Sequence, residues 1–111
     1  MLEALWSVKF TSSFGIEGNG IVVFETGRIF GGDSSMIYIG DYEVKDEEIS
    51  GEINVQKYAD VSGMFSAVGL NNFTLKITGK LGAETMILSG YVIEDAKRTI
   101  EIHATRRADL P

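Results

Sequence analysis

Few residues in this sequence could carry out acid–base or metal chemistry. The 111 residues include one histidine, His103, and no cysteine. Glu101 stands two positions before His103, so in a strand the two side chains would share a face as a carboxylate–imidazole pair, which is ordinary on a solvated strand. A single imidazole does not make the usual multi-ligand metal site, and no EF-hand spacing is present. We therefore expect no enzymatic activity, no catalytic residue, no cofactor and no metal.

A second candidate is the run Gly-Gly-Asp-Ser-Ser at residues 31–35. Glycines beside hydroxyls occur in phosphate-binding loops, but a P-loop needs a lysine followed by Ser or Thr ahead of a helix, and here an apolar strand-like segment follows. The run instead predicts a bend, in which the two glycines adopt positive φ and Asp33 hydrogen-bonds forward to backbone amides as an Asx-turn.

The most concentrated charge lies at Asp46, Glu47 and Glu48. One interpretation is a solvated hairpin tip that keeps the neighbouring strand edge soluble. The other is a docking site for the basic surface of a protein partner, in which these three carboxylates steer association. On the second interpretation Asp46, Glu47 and Glu48 are the partner-binding residues, and the identity of the partner stays open.

The elements that must position these residues are strands, because apolar residues recur at every second position. Trp6, Val8 and Phe10 alternate with polar residues, and the same period continues through most of the chain, whereas helical spacing is hard to find. Strands are predicted at about 4–11, 19–25, 27–31, 36–45, 48–58, 72–79, 84–94 and 97–106.

Short polar or glycine-containing turns separate most of these strands, as at residues 25–28 and 45–48. Consecutive hairpins predict an all-β fold, an eight-stranded antiparallel up-and-down β-barrel made by a single domain of residues 1–111, because closure removes exposed edges. A β-sandwich is the alternative, and it needs longer crossovers than the one long connection at about 59–71. The inward positions include Trp6, Phe10, Phe73 and Leu75 but also Gly40, Gly51 and Gly90, so a filled and a hollow interior both remain open.

Composition narrows the classes of partner. The net charge is −6, with sixteen acidic and ten basic residues, which disfavours binding to nucleic acid or to an anionic membrane. No apolar stretch approaches the ~20 residues of a membrane span, and the first residues lack the basic and apolar regions of a secretory signal. We expect a cytoplasmic protein with no nucleic-acid or membrane partner.

Two segments are apolar on both faces, residues 36–39 and residues 86–88 with 91–93. Either the connection at 59–71, with Val61, Met64, Phe65 and Val68, packs over them, or the outer apolar face is a homodimer interface. For the second interpretation the candidate interface residues are Ile37, Ile39, Ile87 and Tyr91.

Five features in chain order resemble the GrlR-type negative regulators of type III secretion and their relatives. They are Leu5-Trp6-Ser7-Val8-Lys9-Phe10, Gly18-Asn19-Gly20-Ile21-Val22-Val23, the Gly31-Gly32-Asp33 bend, Tyr38 and Tyr42 around Gly40, and the acidic hairpin. The resemblance covers about residues 5–58 and is weaker over 72–106. It implies a lipocalin-like barrel that dimerises and acts without catalysis, by binding a transcriptional activator. Of the four positions matching the family's acidic run, Asp46, Glu47 and Glu48 agree and Lys45 departs.

Two functions therefore remain open. The first is a GrlR-like regulatory protein acting by protein–protein interaction. The second is a small carrier or sensor that holds an apolar small molecule or lipid inside the barrel.

Overall fold

The computed structural model describes residues 2–60 and 69–111, and within them the chain forms eight β-strands. The strands are β1 (Ala4–Ser12), β2 (Glu17–Glu25), β3 (Arg28–Gly32), β4 (Met36–Lys45), β5 (Glu48–Lys57), β6 (Asn72–Lys80), β7 (Thr85–Val92) and β8 (Asp95–Ala108). In these residues no helix is long and apolar enough to span a membrane.

Each strand pairs antiparallel with the next, and β8 pairs with β1, so the sheet is a closed barrel. The all-β, up-and-down, eight-stranded barrel predicted from the sequence is confirmed, and the β-sandwich alternative is wrong. Closure satisfies the backbone groups that an open sheet would leave at two edges.

The period-two residues line the interior. On β1, for example, Ala4, Trp6 and Val8 are buried, and on β8 the same is true of Ile100 and Ile102. Burying this alternating set is what stabilises the barrel, at roughly 25 cal/mol for each Å² of apolar surface removed from water.

One end of the barrel is packed solid with aromatic side chains; we call it the filled end, and it carries the turns at residues 26–27 and 46–47. The Trp6 and Phe24 rings meet edge to face at 6.2 Å between centroids, and the Phe24 and Tyr42 rings meet at 5.4 Å. The Trp6 indole N–H donates to the carbonyl of Leu2 at 2.9 Å, so its polar atom is satisfied although the side chain is fully buried.

The glycines at residues 31 and 32 do not have the conformation predicted for them. Among the described glycines, positive φ occurs at Gly15, Gly27 and Gly69. The physical reason for a glycine at residue 31 is close approach, because a Cβ on Gly31 would lie 2.0 Å from the carbonyl oxygen of Ile21 on the neighbouring strand.

The four residues predicted for a dimer interface lie on two strands, Ile37 and Ile39 on β4 and Ile87 and Tyr91 on β7. The exposed fraction is 59% for Ile39 and 54% for Ile87, so both point outward. Strands β5 and β6 separate β4 from β7, and their outward residues are polar: Asn54, Gln56, Thr74 and Lys76. The four residues therefore belong to two separate surfaces.

A continuous apolar row does cross the outside of β1 to β4. Leu5 pairs with Val23, Val23 with Phe30, and Phe30 with Ile39. The homodimer stays a prediction, with this row as its strongest candidate surface. The alternative, in which Val61, Met64, Phe65 and Val68 cover the apolar strands, falls on residues outside the described part of the chain.

Candidate functional site

A cavity of about 220 Å³ occupies the half of the barrel away from the filled end. We call this half the hollow end; it carries the connections at residues 13–16 and 33–35. Phe24 forms the floor of the cavity, and the cavity reaches the surface beside Glu17 and Asn19, which are exposed. Its wall is mainly aliphatic and aromatic: Val8, Phe10, Ile16, Val22, Met36, Ile53, Val55, Phe73, Leu75, Ile77, Leu88, Ile100 and Ile102.

The cavity exists because small side chains occupy inward positions at the hollow end. Three valines, Val8, Val22 and Val55, line it, whereas Trp6 and Tyr42 fill the corresponding space at the other end. Gly18 belongs to the same set, because the Phe10 ring lies over it and a Cβ there would be 2.4 Å from the Phe10 Cε2 atom. An eight-stranded barrel is at the size where such differences decide between a filled interior and room for one ligand.

The polar corner of the cavity is the carboxylate of Asp33. Its Oδ1 atom accepts hydrogen bonds from the backbone N–H of Ser35 at 2.9 Å and of Met36 at 2.8 Å. The predicted Asx-turn is thereby confirmed. The Oδ2 atom accepts a hydrogen bond from the hydroxyl of Tyr38, so both oxygens of Asp33 are held in place.

Tyr38 brings a phenol into this apolar interior. Its side chain is 8% exposed, and burial, with the hydrogen bond to Asp33 and the charge of Asp33 adding to it, raises the pKa of the Tyr38 hydroxyl well above its usual range. The hydroxyl therefore stays protonated and donates to Asp33. Space for it comes from Gly20, where a Cβ would lie 2.7 Å from the Tyr38 oxygen.

The loop that carries Asp33 is tied to the segment following β5. The Tyr58 hydroxyl donates to the backbone carbonyl of Asp33 at 2.7 Å, and the Tyr58 N–H donates to the carbonyl of Ser35 at 2.9 Å. These bonds hold the polar corner rigidly at the hollow end, which a binding site requires.

The predicted acidic site lies at the other end of the molecule. Asp46, Glu47 and Glu48 are exposed, with Asp46 and Glu47 forming a two-residue turn at φ values of 53° and 65°. The Glu47 carbonyl accepts a hydrogen bond from the N–H of Leu81 at 2.9 Å, which anchors the turn to the next connection. The structure thus separates these residues from the cavity.

The pair Glu101 and His103 lies on the outer wall, as its spacing indicates. The His103 Nε2 and Glu101 Oε1 atoms are 2.9 Å apart, and both side chains are more than half exposed. Over residues 2–60 and 69–111, no three metal-binding side chains are grouped together.

Nothing in the sequence marks Tyr38 as a polar group of the interior, because Tyr38 lies in a segment that is apolar on both faces. The sequence feature that could have indicated this role is a tyrosine at an inward position of the strand alternation, five residues after the aspartate of an Asx-turn. Asp33 is predictable as a turn residue, whereas its place at the cavity depends on the positions of β3 and β4 beside β2.

Comparison with known proteins supports the fold. No protein-family model matches the chain, and no curated protein matches it. One similar solved structure is a redesigned β-barrel, which is 11% identical, with 96% of this chain and 91% of that chain aligned and a TM-score of 0.51. At this identity the similarity shows the barrel fold alone.

Proposed function

We propose that the protein is a non-catalytic carrier or sensor that binds one small, mainly apolar ligand inside its barrel. The observation that carries the proposal is the 220 Å³ cavity, which has an apolar wall, a closed floor and a single rigid polar corner. Sites for small molecules typically combine these properties.

The size of the cavity sets the size of the ligand. An engineered apolar cavity of ~150 Å³ binds benzene, so the space here holds roughly nine heavy atoms. Burial contributes about 0.8 kcal/mol for each CH₂ group, so a tail of about eight carbons would contribute roughly 6 kcal/mol. Without a polar contribution, that corresponds to a Kd no tighter than tens of micromolar, because the loss of translational and rotational freedom on association is not included.

The chemistry of the polar corner suits binding better than proton transfer. The raised pKa of Tyr38 makes its phenolate a costly species, and the Asp33 carboxylate is already engaged by two backbone N–H groups and the Tyr38 hydroxyl. Groups held in this way give a ligand fixed acceptors with little reorganisation.

The second candidate function is the GrlR-like one, in which Asp46, Glu47 and Glu48 bind a protein partner such as a transcriptional activator. Its support is the resemblance and the exposed, anchored turn. Against it, the register pairs Glu48 with Lys45 on one side and Lys80 on the other, which leaves a net charge of −1 over these five side chains. The electrostatic attraction for a basic surface is correspondingly weakened.

The cytoplasmic location and the homodimer belong to this proposal as well. The homodimer rests on the outward row of Leu5, Val23, Phe30 and Ile39.

Titration calorimetry with 1-octanol, which has nine heavy atoms, tests the proposed function. We expect one site per chain and a negative change in heat capacity, because apolar surface leaves water on binding. A protein that shows no binding at millimolar 1-octanol would contradict the proposal. Native mass spectrometry of the protein as purified is the complementary measurement, since it reports any ligand that is carried along and the dimer together.

A further inference from the structure

We infer that the natural ligand carries a primary amine, bound as an ammonium group at Asp33, on an apolar tail of about eight carbons. This inference rests on the proposed function and adds the chemical class of the ligand. The charges around the cavity, the partners of Asp33 and the hydrogen-bonding capacity of the corner support it in turn.

The charged groups of the cavity are negative. Among the described residues that line it, Glu17 and Asp33 are acidic, and none is lysine, arginine or histidine. A ligand with a carboxylate end would place a third negative charge beside two others in a partly apolar site, where such repulsion is screened less than in water. A ligand with a positively charged end would instead be attracted by these two carboxylates.

Lys9, His103 and Arg107 line an outer depression that also includes Asp33, but their partners among the described residues are Glu17, Glu101 and the Ser7 hydroxyl. Of these, Lys9 lies 3.7 Å from Glu17. The other basic side chains near the hollow end face carboxylates as well. Lys57 forms an ion pair with Asp60, and Arg98 lies 3.1 Å from Asp95. The Arg98 guanidinium also stacks on Phe14 at 4.9 Å from the ring centroid. Glu17 is therefore partly neutralised, and Asp33 is the carboxylate on which a ligand cation would act.

The hydrogen-bond partners of the Asp33 carboxylate in the described residues are uncharged donors. They are the N–H groups of Ser35 and Met36, the hydroxyl of Tyr38 and, at 3.5 Å, the hydroxyl of Ser35. Hydrogen bonds of this kind fix the carboxylate but do not neutralise it, and none of the ion pairs among the described residues includes Asp33. A buried or half-buried charge is favourable only when it is paired.

The hydrogen-bonding capacity of the corner selects a donor. A carboxylate offers about four acceptor positions. Oδ1 is occupied by the Ser35 and Met36 amides, with the Ser35 hydroxyl also directed at it from 3.5 Å, and Oδ2 accepts from Tyr38 alone, so Oδ2 keeps one position for a ligand. The Tyr38 hydrogen is committed to Asp33, so toward a ligand the Tyr38 oxygen can only accept. An ammonium group, with three donors and no acceptor, fits both oxygens; an alcohol can satisfy one, and a carboxylate can satisfy neither.

Three ligands with eight carbon atoms each test this inference: octylamine, 1-octanol and octanoate, titrated into the protein near neutral pH and at physiological ionic strength. We expect octylamine to bind at least tenfold more tightly than 1-octanol, and octanoate at least tenfold more weakly. Binding of octanoate equal to or tighter than that of 1-octanol would overturn the inference and leave the proposed function standing. Failure of all three to bind would overturn both.

Two variants test whether Asp33 is responsible for the preference for octylamine over 1-octanol. Asp33→Asn keeps an oxygen for the Ser35 and Met36 amides and removes the charge, and it should bring the octylamine and 1-octanol affinities within about threefold of each other. Asp41→Asn makes the same charge change at an exposed position of β4 and should leave the tenfold preference intact. An unchanged preference in Asp33→Asn would refute the assignment. If that variant does not fold, the wild-type series with Tyr38→Phe decides, since loss of one acceptor oxygen should reduce the amine preference and spare the rejection of octanoate.

Discussion

Replacing one residue of the cavity wall by a larger one tests whether the interior of the barrel is hollow or solid. Val55 is 5% exposed, lines the cavity, and pairs with Tyr38 on one side and Phe73 on the other. Val55→Phe adds four heavy atoms, or about 100 Å³ at ~25 Å³ each, by scaling from the benzene-sized cavity. About half of the 220 Å³ would then be occupied.

The effect on stability follows from that volume. Residual cavities cost about 24 cal/mol per Å³, so filling ~100 Å³ gives at most ~2.4 kcal/mol of stabilisation, less whatever strain the new ring introduces. We expect Val55→Phe to leave the free energy of unfolding unchanged or to raise it by up to ~2 kcal/mol. In a solid core the same substitution would instead cost about 1–3 kcal/mol.

Binding should change in parallel, because about 120 Å³ holds only some five heavy atoms. We expect Val55→Phe to lose octylamine binding and to retain butylamine. The matched control is Val44→Phe, the same substitution at an exposed valine near the filled end, which should alter neither ligand. Urea denaturation and calorimetry measure both quantities. A loss of more than ~1 kcal/mol in Val55→Phe, or octylamine binding as in the wild type, would refute the reasoning.

Four further outcomes are expected. Gly20→Ala places a Cβ 2.7 Å from the Tyr38 oxygen. Because this contact is too close, the substitution should lower the free energy of unfolding measured by urea denaturation by about 1–3 kcal/mol. It should also weaken the binding of octylamine measured by calorimetry. Because the pKa of Tyr38 is raised, its contribution to stability is complete below the ordinary tyrosine pKa of ~10 and falls as the pH rises above it. Tyr38→Phe should therefore flatten that alkaline decline and leave the phenolate absorbance near pH ~11.5 unchanged. Glu47→Gly should raise the urea midpoint by the equivalent of ~1 kcal/mol, since Glu47 has a φ of 65°, whereas Glu43→Gly in the same hairpin should lower it. If a dimer forms through the outward row of β1 to β4, sedimentation should show Ile39→Asp as a monomer and Ile87→Asp as unchanged.

The strand bounds could be predicted closely because successive side chains of a half-buried strand alternate between the interior and the solvent, so apolar and polar residues alternate in the sequence. The predicted and observed bounds of β4 coincide at residues 36–45. Strand β2 begins at Glu17, two residues before the prediction, because Gly18 occupies an inward position where the period calls for an apolar side chain. The space above Gly18 is taken by the Phe10 ring from the neighbouring strand, which a single-strand pattern cannot show.

The cavity was harder to predict than the fold because the residues that line it are far apart in the sequence. The acidic turn stands out because its three charges are consecutive, whereas every strand except β3 contributes between one and three separated aliphatic or aromatic residues to the cavity wall. Whether that wall encloses an empty space depends on small differences in side-chain size between the inward residues of the hollow end and those of the filled end. Tyr38 illustrates the limit, since a tyrosine between Ile37 and Ile39 is indistinguishable from core until its hydroxyl is found at Asp33.

The pairing of β1 with β8 also determines when the cavity forms during synthesis of the chain. Trp6 pairs with Arg106 and Phe10 with Ile102, so the seam that closes the barrel joins residues about as far apart as this sequence allows. During translation, the chain up to β7 can form at most an open, curved sheet with two unpaired edges, which is the state most prone to aggregation. Strand β8 is the last of the eight strands to be synthesised and supplies Ile100 and Ile102 to the cavity wall, so the cavity is enclosed only when β8 closes the seam. A ligand that binds the closed barrel would then act as a folding partner, drawing newly made chains into the closed form.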